Sequence, residues 1–70
     1  MILKWMDYTV EITHPVDLRA IAVSLGVKSE RIEVLEDGIK IKGKAEEFAK
    51  LCKEAKLKVS RSKAELVVRI

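Results

Sequence analysis

The sequence predicts a single α+β domain over residues 1–70, with strands and helices in the order β-α-β-β-α-β. Three observations carry this expectation. Strand formers and period-two alternation mark residues 2–12, 31–36, 39–43 and 64–70, as in half-buried strands. Between them, residues 15–25 and 45–57 switch to helical spacing. Asp37-Gly38 separates the two middle strands, and that dipeptide is a strong hairpin signal.

In the first strand Tyr8, Val10 and Ile12 alternate with Asp7, Thr9 and Glu11. The first helix carries Leu18, Ile21, Ala22 and Leu25 as one stripe. Pro15 suits its first position, where no amide hydrogen is needed. Asp17 meets the positive end of the helix dipole, and Gly26 can close the last turn in the left-handed conformation. His14, the sole imidazole, is expected to cap or flank this helix rather than to act as a base. A two-residue turn at 37–38 would pair Val34 with Ile41 and Glu33 with Lys42, turning Ile32, Val34 and Ile41 into the core. The second helix has Phe48, Leu51, Cys52 and Ala55 as its stripe, with Glu46 and Glu47 near its start and Lys53 and Lys56 near its end. Residues 60–63 read as a turn, and Leu66, Val68 and Ile70 share one side of the last strand.

Two β-α-β units with right-handed crossovers would form a four-stranded antiparallel sheet, order 4-1-3-2, with both helices on one face. This resembles the ferredoxin-like fold over the whole chain, in topology alone, and that fold hosts many functions. No internal repeat is evident beyond the approximate β-α-β duplication. The functional versions of this layout fit poorly. Acylphosphatases carry an arginine in a phosphate loop and an asparagine; here the loop is Thr13-His14-Pro15 and the chain has no Asn. Heavy-metal domains of this shape need Cys-x-x-Cys, and only Cys52 exists. Amino-acid-sensing domains use a glycine-containing loop after the first strand, where His14 and Pro15 stand. RNA-recognition motifs stack bases on aromatics of the central strands, and no such ladder is present.

Composition sets further bounds. The chain is 49% apolar and 36% charged, and its longest apolar run is Ala20 to Val23. That is too short to cross a bilayer, which takes about 20 residues. One cysteine and one histidine exclude a disulfide framework and Cys- or His-rich metal centres. A lone thiol and no targeting signal point to the cytoplasm. Asn and Gln are absent, while Lys and Glu supply 18 residues, a thermophile tendency. Residues 1–37 hold four bases and seven acids, net −3; residues 38–70 hold ten bases and four acids, net +6.

No catalytic constellation, metal site or cofactor motif emerges. The reading is a small non-enzymatic binding or assembly module acting through an open sheet face or edge strands. It is expected to be a homodimer, with Leu3, Trp5, Leu35 and Val67 on the open face. The alternative is a binding protein for RNA or single-stranded DNA that uses the basic second half. Its candidate site is Trp5, Arg31, Lys40, Lys42, Lys44, Arg61, Lys63 and Arg69, because bases around an exposed ring can hold phosphates and stack a nucleobase. A second alternative is a regulatory domain sensing a small ligand beside the loop after the first strand.

Overall fold

The computed structural model describes residues 2–5 and 7–70, the Trp5 side chain excepted. The chain runs β1 (Ile2–Trp5), β2 (Tyr8–Glu11), α1 (Pro15–Ser24), a 3-10 turn (Ser29–Arg31), β3 (Ile32–Val34), β4 (Gly38–Lys42), α2 (Glu46–Glu54), β5 (Lys58–Arg61) and β6 (Glu65–Arg69). The α+β class stands. The ferredoxin-like arrangement does not: β1 and β2 form a two-stranded sheet, and the other four strands are ordered β3-β4-β6-β5.

Residues 2–12 are therefore two strands, with Trp5 opposite Tyr8 and Leu3 opposite Val10. The reason is parity. Positions 3 and 10 would lie on opposite faces of one continuous strand, but as directly paired cross-strand partners they share a face. Leu3 is fully buried and Val10 packs against the core. Leu3 thus leaves the open face on which it was expected.

The second correction is to the β3–β4 register. Ile32 pairs with Ile41, Glu33 with Lys40 and Val34 with Ile39, and the Leu35 amide donates to the Gly38 carbonyl at 2.7 Å. The loop is thus Glu36-Asp37, not Asp37-Gly38. Gly38 opens β4 and faces Arg69 of β6. A Cβ there would lie 2.0 Å from the Val68 carbonyl oxygen, so the glycine serves close strand approach. A shift of two residues keeps each side chain on its face. Ile39 and Ile41 are buried, while Val34, on the short edge strand, stays 41% exposed.

The third hairpin, β5–β6, pairs Val59 with Val68 and Arg61 with Leu66. Its first strand begins just after the expected second helix and takes in Ser60 and Arg61 of the expected turn. Helix α2 stops at Glu54 because Lys56 takes the left-handed conformation, φ 63°. The Leu57 amide then reaches the Cys52 carbonyl and the Lys56 amide the Lys53 carbonyl, both at 3.0 Å. Helix α1 ends identically: Gly26 has φ 92°, Val27 bonds Ala22 and Gly26 bonds Val23. Both ends are Schellman motifs, and the apolar residue that follows each, Val27 or Leu57, is buried.

At its start α1 carries a capping box. His14 Nδ1 accepts from the Val16 amide at 3.2 Å, and Asp17 accepts from the amides of Thr13 and His14 at 2.9 and 3.1 Å. Helix α1 packs on β3 and β4, and α2 on β5 and β6. The core joins Leu3, Ile12, Leu18, Ile39, Phe48 and Val68, among others. Among the described residues no helix is long and apolar enough to cross a membrane.

Candidate nucleic-acid interface

The basic residues singled out from sequence fall into three places. Arg31, Lys42, Lys44, Arg61 and Lys63 gather at one end of the four-stranded sheet. The Gly43 amide donates to the Ala64 carbonyl at 2.7 Å, which ties the β4–α2 loop to the β5–β6 turn. Lys42 at the end of β4, Lys44 in the loop and Lys63 in the turn are thereby neighbours along adjoining backbone segments. Lys40 lies mid-strand on the outer sheet face. Arg69 lies at the opposite end, where it pairs with Asp37.

Not all of these cations are available. Arg31 Nε donates to the Lys42 carbonyl at 2.7 Å and Nη2 to the Lys44 carbonyl at 2.8 Å. Its guanidinium shapes the loop and sits against Gly43, where a Cβ would come within 2.9 Å of Nη2. Arg61 pairs with Glu46 at 3.1 Å, and Lys40 with Glu65 at 3.7 Å. Lys42, Lys44 and Lys63 are exposed and have no ion pair among the described residues. The Trp5 side chain lies outside the described residues. Its expected ring of bases assumed a first strand lying between the third and fourth, and β1 has no place in that sheet.

A depression of about 180 Å³ lies between the two loops, lined by Lys44, Glu46, Arg61, Lys63 and Glu65, with Ala49 and Leu66 at its base. A second, of about 220 Å³, flanks the same Lys44-Ala45-Glu46 segment on the side of Arg31 and Phe48. The start of α2 separates them. Its N-cap is Ala45, which makes no side-chain capping bond. Free amides and the positive end of the helix dipole thus meet the lysine-rich corner, with Glu46 and Glu47 of the first turn partly offsetting them. The missing cap is visible in the sequence as Lys44-Ala45-Glu46. The Gly43–Ala64 link is not, because it joins residues twenty-one positions apart.

The other candidates are structural. His14 caps α1. Cys52 is fully buried, and burial pushes its thiol up to about 12, where thiolate chemistry is suppressed. No group of three His, Cys, Asp or Glu residues placed to hold a metal occurs among the described residues. Of the residues expected on the open face, Leu3 is buried, and Leu35 and Val67 are half-buried. Compared with known proteins, the chain matches no family model, no curated relative and no solved structure.

Proposed function

We propose that this chain is a small non-enzymatic binding module that holds a polyanion, a single-stranded nucleic acid, at the corner built from the β4–α2 loop and the β5–β6 turn. The observation that carries the reading is the convergence of Lys42, Lys44 and Lys63, none of them ion-paired among the described residues, beside the uncapped start of α2. Phosphates exchange their counterions for such lysines, and affinity comes from that release. Arg31, which holds two loop carbonyls, and Arg61, which is paired with Glu46, are assigned to supporting the loops.

Three phosphate contacts set the expected behaviour. The log of the affinity should fall by about 2–3 for each unit of log salt. Fluorescence anisotropy of a labelled oligonucleotide, titrated over a salt series from about 50 mM upward, reads that slope. Absence of binding up to high micromolar protein at the lowest salt rejects the proposal. A slope near zero rejects it equally, because binding without counterion release is not binding through lysines.

A further inference from the structure

The fold contains a repeat that joins its first hairpin to the others. The β1–β2 register, Ile2 with Glu11 and Leu3 with Val10, reappears thirty residues later as Ile32 with Ile41 and Glu33 with Lys40. The helix stops repeat at the same interval, Gly26 with Lys56 and Val27 with Leu57. The three hairpins close on equally spaced pairs, Trp5 with Tyr8, Leu35 with Gly38, and Ser62 with Glu65. The second and third hairpins are joined through their second strands, β4 and β6, about the pair Lys40–Val67. Each of those residues stands two positions past its hairpin's closing residue, Gly38 or Glu65. The joint is therefore pseudo-twofold, and a true twofold axis can reproduce it. The first hairpin is the one of the three that has no such mate.

We infer that β2 pairs antiparallel with β2 of a second copy, about Val10, so that two hairpins form a four-stranded sheet across a twofold axis. The β4–β6 register carried back thirty residues sets Val10 against the partner's Val10 and Thr9 against the partner's Glu11. No like charges are opposed, which would be unfavourable in directly facing strands. The backbone is also in phase. In a hairpin with a two-residue loop the closing pair exchanges hydrogen bonds and bonded pairs then alternate, as the Leu35–Gly38 bond illustrates. Thr9 and Glu11 therefore turn their amides and carbonyls to the outer edge of β2. Thr9 and Glu11 are exposed and Tyr8 is 67% exposed, so the edge is accessible. A two-stranded sheet alone is marginal in water, and two more strands remove that weakness. This interface is independent of the basic corner.

Cysteine trapping tests it. At Val10 the two copies would meet as a non-hydrogen-bonded pair with Cα atoms about 4.5 Å apart, within the range a disulfide spans. Val10→Cys should form an interchain disulfide under mild oxidation. Lys4→Cys, on the strand away from the axis, should form no interchain disulfide, and the buried Cys52 does not compete. Thr9→Pro removes an outward amide and no bond within the hairpin. It should keep the far-ultraviolet circular dichroism of the parent and abolish the dimer in sedimentation equilibrium. Equal crosslinking of the two cysteine variants, or a parent chain that sediments as a monomer at high micromolar concentration, overturns the inference. Should Thr9→Pro not fold, the cysteine pair and the parent's sedimentation decide it without that variant.

Discussion

Two residues show how local chemistry sets the helix ends. Lys56 holds a conformation that disfavours any residue with a Cβ, at the position where α1 has Gly26. Lys56→Gly should stabilise the domain by roughly 0.5–1 kcal/mol, after the entropy that glycine gives up on folding. In a domain of this size about 1 kcal/mol raises Tm by about 4–8 °C, which a thermal melt resolves. Asp17 behaves differently because its role depends on charge. The amides of Thr13 and His14, which donate to its carboxylate, hold its pKa below the ordinary 3.8. The lowered folded-state value means that its stabilisation is complete above the ordinary pKa and is lost as pH falls through the folded one. Asp17→Ala should therefore melt earlier than the parent near neutral pH. The gap should close in acid, below both values. A gap that is constant with pH would assign the effect to helix propensity instead. The sequence displayed both roles of α1's ends, as Pro15, Asp17 and Gly26. It hid the one at Lys56, since nothing about lysine announces a left-handed backbone.

At the scale of elements, periodicity located most secondary structure and misjudged how segments join. The stripes of α1 and α2 are buried as their spacing implies: Leu18, Ile21 and Ala22, then Phe48 and Cys52. The first eleven-residue strand failed because Tyr8, Val10 and Ile12 alternate regardless of whether the chain has turned back two residues earlier. Between Trp5 and Tyr8 the sequence offers Asp7 but neither Gly, Asn nor Pro, a weak turn signal. Asp37-Gly38 failed in the opposite way, as a turn signal whose glycine answers a different demand. Gly38→Ala tests that demand. Its added methyl meets the backbone of Val68 and Arg69 rather than a movable side chain, so the β4–β6 ladder must open. The loss should be about 3 kcal/mol or more, read by denaturant unfolding. A loss under about 0.5 kcal/mol would be that of an ordinary surface substitution and would contradict the close approach.

Across the whole molecule, stability depends on one small core and chemistry is confined to the surface. No polar or charged side chain is buried among the described residues. Phe48 is the largest fully buried side chain among the described residues and belongs to the one core cluster that also holds Leu3, Ile39 and Val68. Phe48→Ala should cost about 3–5 kcal/mol, most of what a domain this size has in reserve. A parent-like denaturation midpoint for that variant would show that the core is not organised around α2. Charge follows a rule the sequence only half displayed. The excess of bases in residues 38–70 was evident, but which of them are free depends on the fold. Arg61 and Arg69 face acids from distant segments, Glu46 and Asp37, and Arg31 clamps two carbonyls. Only the tertiary structure separates these from Lys42, Lys44 and Lys63.

Chemical-shift mapping by NMR distinguishes Lys42, Lys44 and Lys63 from the paired cations. Amide chemical shifts of the labelled protein are followed while a single-stranded oligonucleotide is added at low salt. The largest shifts should fall at Lys42 to Glu46 and at Lys63 and Ala64, the segments joined by the Gly43–Ala64 bond, with the Asp37 and Arg69 end of the sheet unmoved. Shifts centred on Arg69, or spread evenly over every lysine of residues 38–70, would contradict that distinction.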